Sequence, residues 1–277
     1  MCGSMLKQLP SYYSKSNGVI DAVKDLSDGL KRHELWRSLG MHEIKQLYHG
    51  SFLGAAWIIL SFLLFAAALI LFFGGLTSQG ASWYATYVIT GLWVFQFLAV
   101  IVSSGCTVFI TAKGWLQSAR MPISLFMYKS VYRNLYNLAL TGAALIIILL
   151  VLDHKLTIAA FMAIPGIIAI LYNALWVTLL LGLLATRYRD LQHLVQTFMR
   201  FAIFITPIIW VPEDIGNRAI IAQFNPFTHF VEIVRDPILN GMVPQTSWWV
   251  VLTFSVIGTL VTFLLFAAWR KHLVFWI

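Results

Sequence analysis

The chain has 277 residues, of which 60% are hydrophobic and only 11% are charged. A soluble domain carries about a quarter charged residues, and here the deficit lies in long stretches without any charge, which excludes a water-soluble enzyme and indicates an integral membrane protein. The net charge of +8 gives no reason to expect a nucleic-acid partner, because basic residues also collect on the inner side of membrane proteins.

The first fifty residues precede the first long apolar stretch. Residues 1–18 are rich in Ser, Tyr and Lys around Pro10 and are predicted to be disordered. Residues 19–50 are predicted to form two cytoplasmic amphipathic interface helices, lying on membrane lipid, because their apolar residues recur at helical spacing. These apolar residues are Ile20, Val23, Leu26 and Leu30 in the first helix and Leu35, Leu39, Ile44 and Leu47 in the second.

Residues 51–277 are predicted to form an all-α membrane domain with six transmembrane helices. Six apolar stretches have about the length needed to cross a bilayer. They cover roughly residues 52–74, 83–111, 134–152, 157–185, 194–210 and 248–269. A kink is expected at Pro165 in the fourth span, and a bend at Thr206-Pro207 near the outer end of the fifth.

The basic residues predict how these spans are oriented. Sixteen of the nineteen lysines and arginines fall in the N-terminal segment, in the segments after the second and fourth spans, or in the tail. Only Lys155, Arg218 and Arg235 fall on the other side. Because short cytoplasmic loops carry the excess of basic residues, the count favours an even number of spans with both termini in the cytoplasm.

Residues 212–247, between the fifth and sixth spans, are too polar and too broken for a span. Asn225 and Pro226 are typical of a helix start, as cap and first helical residue, and Pro237 and Gly241 are expected to end that helix. Two short re-entrant helices dipping into the outer leaflet are predicted, with their ends buried in protein. An ordinary extracellular loop with surface helices is the alternative.

Several motifs are missing from the sequence. There is no G-x-x-x-x-G-K-[ST] phosphate-binding loop, no H-E-x-x-H motif and no C-x-x-C pair, so neither a nucleotide site nor a metal site is predicted and no cofactor is expected in this chain. The spans also contain almost no ionisable side chain, which argues against an ion-coupled carrier. Uphill transport would therefore take its energy from another chain.

Four ordered motifs carry a resemblance to a known family. They are a charged segment (His42, Glu43, Ile44, Lys45), an entry into the first span (Ser51, Leu53, Gly54, Trp57), the run Arg187-Tyr188-Arg189-Asp190, and the pair Thr206-Pro207. From about residue 34 to the tail, the chain resembles the permease subunit of ABC-2-type exporters of polysaccharides. It departs from the family pattern at His42 and Leu47, where the family has arginines.

The resemblance implies a homodimer of permeases with two ABC ATPase subunits, which bind the ATP and Mg. The cargo would be a lipid-linked polysaccharide. O-antigen is the first candidate, and capsule or teichoic acid are the next. The location would be the bacterial inner membrane, and the process would serve lipopolysaccharide biosynthesis. The permease itself would not be an enzyme.

The resemblance also assigns candidate site residues. Residues 113–124 would be the coupling loop that docks on the ATPase, and a surface helix would be a second contact. The docking candidates are Glu34, Arg37, Glu43, Lys113, Arg120, Met121 and Pro122. A plain basic loop on the inner side of the membrane is the alternative for residues 113–124.

The run Arg187, Tyr188, Arg189 and Asp190 is predicted to serve gating or coupling, with Asp190 bonding Arg187 or capping the following helix. In the outer segment, Asn225, Pro226 and Arg235 resemble the re-entrant pattern of the family. Two other functions stay open. One is an ABC-2 exporter of a drug or small lipid, and the other is a passive channel or membrane scaffold without an ATPase.

Overall fold

A computed structural model of the protein describes residues 18–77, 80–119, 121–152, 157–214, 216 and 220–277. Within these ranges the chain is all-α, as predicted, and contains no β-strand. The helices are α1 (Gly18–Lys31), α2 (His33–Leu47), α3 (Ala56–Phe73), α4 (Ala81–Gly105), α5 (Val108–Thr111), α6 (Lys113–Ser118), α7 (Ser124–Val151), α8 (Ala163–Arg187), α9 (Leu191–Ile205), α10 (Ile220–Phe224), α11 (Pro226–Leu239), α12 (Gln245–Trp269) and α13 (Leu273–Trp276). The predicted disordered segment 1–18 lies almost entirely outside the described residues.

Within the described residues, five helical segments are long and apolar enough to cross a membrane. They are α3, α4, α7, α8 with its preceding 3-10 turn (Ile158–Arg187), and α12. The fifth predicted span is shorter than expected, because α9 has 15 residues and ends at Ile205 rather than near Trp210. Thr206 is extended (φ −82°, ψ 135°), as expected of a residue that precedes a proline. At 1.5 Å per residue, α9 is roughly 22 Å long, short of the roughly 30 Å of a bilayer core.

Helix α4 forms the centre of the bundle. In its most apolar stretch 72% of the residues are buried, against 17% in α3 and 22% in α12. It contacts α3, α7, α8, α9 and α11. The faces of α3 and α12 are therefore the ones left to meet lipid or another chain.

Helix α7 begins ten residues earlier than the predicted third span. Residues 124–133 were expected to belong to a cytoplasmic loop, but they form the first turns of α7. The reason is a contact that the local sequence does not reveal. The carboxylate of Asp25 in α1 accepts hydrogen bonds from the backbone N–H groups of Ile123 (3.1 Å) and Ser124 (2.9 Å), which stabilises this helix start.

Helix α2 packs along the inner half of α7. Ile44 is buried, and a Cβ on Gly40 would lie 2.9 Å from the Tyr132 ring of α7. Leu47 remains 69% exposed, so protein covers only part of the apolar face of α2. Residues 48–55 separate α2 from α3, so the first long apolar helix begins at Ala56, four residues later than predicted.

Helix α11 continues through Pro237, which was predicted to end it. Pro237 cannot donate to the carbonyl of Ile233 one turn earlier. That carbonyl oxygen abuts α8, where a Cβ on Gly166 would lie 2.7 Å from it. The helix ends at Leu239, and Gly241, whose φ is +65°, follows two residues later.

Candidate functional site

The predicted coupling loop contains a short exposed helix. Lys113 begins α6 and is exposed, and Trp115 on the same helix is 49% exposed. Met121 is half-buried and packs against the inner hydrophobic cluster, while Pro122 is buried. Arg120 lies outside the described residues. The loop therefore presents α6 outward and anchors the residues that follow it.

The candidate docking residues of α2 fall into two groups. Glu34 and Arg37 are exposed, and the Arg37 guanidinium lies 5.4 Å from the Trp36 ring centroid. Glu43 instead pairs with two basic residues of α7, contacting Lys129 Nζ and, at 3.3 Å, Arg133 Nη1. Glu43 thus fastens α2 to α7 inside the chain.

The run Arg187 to Asp190 lies exposed at the junction of α8 and α9. The Arg187 guanidinium lies over two rings, 5.4 Å from the centroid of Trp276 and 5.7 Å from that of Tyr188. Asp190 occupies the N-cap position of α9, but its side chain accepts no capping hydrogen bond. The side-chain cap predicted for Asp190 is therefore not formed.

A recess of about 350 Å³ brings together two of the predicted motifs. Lys113 of the coupling helix and Arg189 of the basic run both line it, together with His193 of α9. Trp276 and Ile277 near the end of the chain also line it. The recess therefore brings the coupling helix α6 and the junction of α8 and α9 to the same place in the fold.

An inner clasp, formed by Asp25, Ser124 and Arg270, was not anticipated from the sequence. Asp25 is fully buried. Besides its two bonds to backbone N–H groups, its Oδ2 lies 3.3 Å from Nε of Arg270, and Ser124 Oγ donates to its backbone carbonyl at 2.6 Å. Burial raises the pKa of the Asp25 carboxyl, while the hydrogen bonds from Ser124 and the charge of Arg270 act in the opposite direction.

The inner clasp joins three distant parts of the chain, namely α1, the start of α7 and the end of α12. Arg270 is only 3% exposed and also lies 3.7 Å from Asp21. A weak signal was available, because Asp21 and Asp25 are spaced to share one face of α1 with Gly29. A Cβ at Gly29 would lie 2.2 Å from Ser124 Oγ, so this face must stay small.

At the opposite end of the bundle, the Asn225-Pro226 pair starts α11 as predicted. The Asn225 side chain accepts a hydrogen bond from Phe227 N at 3.0 Å, and Pro226 is the first helical residue. Asn225 Nδ2 also donates to Thr206 Oγ1 at 2.9 Å. The cap of α11 and the end of α9 are thus bound to each other.

An outer clasp is formed by Arg235, Tyr87 and the carbonyl of Pro207. Arg235 is 3% exposed. Its Nη1 donates to Pro207 O at 2.6 Å, and its guanidinium carbon lies 4.0 Å from the Tyr87 ring centroid. The Tyr87 hydroxyl donates to the same carbonyl at 2.8 Å. The Thr206-Pro207 motif and Arg235, treated separately in the sequence, therefore form one site.

Sequence reasoning also missed a polar group on α11. His229 Nδ1 lies 2.9 Å from Ser247 Oγ, and that hydroxyl donates to Glu232 Oε2 at 2.5 Å. The ring Nε2 of His229 lies 3.0 Å from the backbone carbonyl of Gln223. This group ties α11 to the start of α12 and to α10.

The first turn of α11 reaches the middle of its neighbours. The Phe227 ring lies 6.0 Å from that of Phe95, near the midpoint of α4, and 6.4 Å from that of Phe198, the midpoint of α9. Arg235, two turns further along α11, meets Tyr87 near the start of α4. Helix α11 therefore runs antiparallel to α4 over about half its length.

Comparison with known proteins bears on what this arrangement does. The family model described as ABC-2 type transporter matches residues 34–239. The chain is 24% identical over 213 residues to an O-antigen export system permease protein, RfbA, from Myxococcus xanthus, covering 76% of this chain and 82% of that protein. It is 23% identical over 201 residues to a protein of the same name from Klebsiella pneumoniae, covering 72% and 78%.

The family match covers well over half of the chain and includes α2, the coupling segment, the basic run and α11. The five apolar helices agree with a multi-pass membrane subunit of a transporter. The protein belongs to the ABC-2 type transporter family, as one of its membrane permeases.

Proposed function

We propose that this chain is the permease subunit of an ATP-driven exporter that moves a lipid-linked polysaccharide across the bacterial inner membrane. O-antigen is the first candidate, because the relatives from Myxococcus xanthus and Klebsiella pneumoniae carry that name. Capsular polysaccharide and teichoic acid are the next candidate substrates. The substrate rests on relatives at 23–24% identity, and so it is a proposal about this chain.

Two copies of the chain and two ABC ATPase subunits would form the working exporter. The observation that carries this proposal is the exposed helix α6 followed by the anchored residues Met121 and Pro122. An ATPase pressing on α6 would move the start of α7, and through Asp25 it would also move α1 and the end of α12. Glu34 and Arg37 on α2 offer a second contact of mixed charge, which suits specific docking.

In the proposed topology the chain crosses the membrane six times and both termini lie in the cytoplasm. Helix α9 leads outward from the recess at Lys113, and the turn residues 206–211 that follow it reach Tyr84, whose hydroxyl donates to Ile209 O. In this proposal α9 and that turn together make the sixth crossing. Helices α10 and α11 would then be the re-entrant pair, with Phe227 at mid-depth.

Gating would use the junction of α8 and α9. Arg187 and Arg189 are exposed there, and Arg189 lines the same recess as Lys113. In this proposal, ATP-driven movement of α6 shifts the junction and with it α9. At the far end, α9 would pull on Thr206 and Pro207, to which Asn225 and Arg235 are bonded.

The test is co-expression with an ABC ATPase, purification of the complex and measurement of its ATPase activity. Lys113→Glu combined with Trp115→Ala should reduce the amount of ATPase that co-purifies, because both side chains are exposed on α6. Lys24→Glu, an exposed basic residue of α1, is the matched control and should leave it unchanged. If the chain alone, in vesicles without nucleotide, drove its cargo against a gradient, the proposal would be wrong.

A small apolar cargo is the second candidate. A cavity of about 750 Å³ between α7, α8 and the turn before α8 is lined mainly by apolar side chains, including Trp93, Ile146 and Phe161. Its size falls within the usual range for small-molecule sites, roughly 300–1,000 Å³. Drug or lipid export by the same ATPase complex, without polysaccharide export, would favour this candidate.

A further inference from the structure

A polar groove lies within the apolar bundle, between α3, α4 and α7. Its volume is about 180 Å³. Its polar lining residues are Ser61, Gln96, Asn134, Asn137 and Thr141. Gln96 stands near the midpoint of α4, and Asn137 lies one turn after Arg133 on α7, in the first part of the predicted third span.

The groove is built from one face of each helix. On α7, Asn134, Asn137 and Thr141 are spaced by three and four residues, and so they lie on a single stripe. Gln96 on α4 and Ser61 on α3 face the same space. Polar side chains of three neighbouring helices thus line one groove, where the Thr141 hydroxyl donates to the backbone carbonyl of Asn137 at 2.9 Å.

Asn134 supplies an independent sign that the groove takes a ligand. The residue is 1% exposed, and its Nδ2 donates to Ser104 Oγ at 2.9 Å. Its Oδ1 is buried and has no hydrogen-bond partner in the described part of the chain. Buried acceptors nearly always find a donor, and the groove that Asn134 lines is where a ligand donor would reach it.

The lining defines the chemistry of the ligand. Within the described part of the chain, no charged side chain lines the groove, so an ion would find no partner there. Amides both donate and accept hydrogen bonds, as do the hydroxyl groups of a sugar. The rings of Trp93 and Phe97 form an apolar wall suited to the C–H face of a sugar ring.

We propose that this groove binds one uncharged, hydroxyl-rich sugar unit in the inner half of the membrane-spanning bundle, through Gln96, Asn134 and Asn137. The volume is below the roughly 300–1,000 Å³ of a typical ligand pocket, so it takes one unit and not a length of polymer. The sugar could come from the transported polymer or from the headgroup of a glycolipid. The assignment deepens the proposed export function and rests on it for the first of these sources.

The test is photo-crosslinking of the full chain in nanodiscs, without ATPase or nucleotide. Ser61 is exposed at the edge of the groove and is replaced by the photoreactive residue p-benzoyl-phenylalanine. Three fluorescent probes are compared: a neutral oligosaccharide of four glucose units, a diacylglycerol carrying one glucose, and the same diacylglycerol carrying phosphocholine. We expect at least one of the two sugar probes to crosslink more strongly than the phosphocholine lipid.

Variants connect the crosslink to the groove. Asn137→Leu and Gln96→Leu each remove an amide from a partly exposed position, and each should lower the sugar crosslink by about fivefold, as expected for the loss of one hydrogen bond. Gln245→Leu makes the same change at an exposed position on α12 and should leave it unchanged. Asn134→Leu serves as a second variant only if its gel-filtration profile matches that of the parent.

Each outcome decides the proposal. Crosslinking of the oligosaccharide identifies the polymer as the source, and crosslinking of the glucosyl lipid alone identifies a glycolipid headgroup. Equal crosslinking of the phosphocholine lipid, or sugar crosslinking that survives both Asn137→Leu and Gln96→Leu, overturns the site. Because the assay contains no ATPase, its failure is distinct from failure of the export function, which ATP-dependent transport by the complex reports separately.

Discussion

The two ends of the bundle each bury one arginine, and they neutralise it in different ways. Arg270 of the inner clasp and Arg235 of the outer clasp are both 3% exposed. Arg270 meets the carboxylates of Asp25 and Asp21. Arg235 meets a backbone carbonyl and the face of Tyr87, with the carboxylate of Asp236 at 3.8 Å.

The different partners of the two arginines indicate different roles for the two clasps. In the inner clasp, the Asp25 carboxylate binds Arg270 and also accepts hydrogen bonds from the first N–H groups of α7. Its loss would therefore leave the arginine and these N–H groups without their acceptor. In the outer clasp, the arginine binds a carbonyl that is available because α9 has already ended before Pro207. The inner clasp is therefore suited to transmit force between segments, and the outer clasp to hold a chain reversal in place.

The largest effect is expected from Asp25→Ala. Removal of one partner from a buried ion pair costs about 3–5 kcal/mol, and here the N–H groups of Ile123 and Ser124 also lose their acceptor. Thermal unfolding in detergent should show a large loss of stability. Glu34→Ala, which removes an exposed carboxylate, is the control. An unfolding curve like that of the parent would show that the inner clasp does not hold the three segments together.

Arg235→Ala should cost less, about 2–3 kcal/mol, which is the value of a hydrogen bond to a charged group with some ring contact. The opposing carboxylate of Asp236 is 25% exposed and can be solvated after the change. Arg235→Lys keeps the charge but cannot bridge carbonyl and ring as a planar group does. Unfolding curves of both variants, compared with Asp25→Ala, measure the difference between the two clasps directly.

Asn225→Ala tests the outer end further. Loss of a helix cap costs about 1 kcal/mol, and here the bond from Asn225 Nδ2 to Thr206 Oγ1 is lost as well. We expect a moderate decrease in thermal stability. Asn240→Ala, at the exposed end of α11, should have little effect. Equal effects of the two substitutions would mean that the Asn225 cap contributes nothing specific.

The smallest effect on stability is expected from Glu43→Gln, about 0.5–1 kcal/mol, because the Glu43 side chain is 31% exposed and the amide oxygen of glutamine can still accept a hydrogen bond from the buried Lys129. It also separates two roles. If Glu43 acts only within the chain, the substitution lowers the melting temperature and leaves the amount of co-purified ATPase unchanged. Glu34→Gln should give the reverse pattern, and loss of ATPase with Glu43→Gln alone would point to a docking role for Glu43.

Much of the fold follows from sequence patterns of short range. The apolar stretches predicted α3, α4, α7, α8 and α12, and the pair Asn225-Pro226 predicted the start of α11, because hydropathy and capping act within a few residues. The end of α9 was placed too late, because hydropathy continues across Thr206-Pro207 while helical hydrogen bonding does not.

The features that were missed depend on contacts between distant residues. Asp25 bonds residues nearly a hundred positions away and Arg270 almost at the far end of the chain, and no local pattern indicates such a partner. Glu43 was assigned to docking because its charge was visible and its pairing with Lys129 was not. Among the candidate docking residues, Glu34, Arg37 and Lys113 are exposed, as a docking surface requires.

The indole of Trp93 separates the polar groove from the apolar cavity. It lines both the polar groove and the large apolar cavity, and its Nε1 is fixed by a hydrogen bond of 3.1 Å to Leu138 O. A Cβ on Gly142 would lie 2.9 Å from the ring. A methyl group at position 142 would therefore displace the Trp93 ring, enlarging either the polar groove or the apolar cavity and narrowing the other. Relatives could then differ in selectivity between sugar-like and apolar ligands without any change in a polar residue.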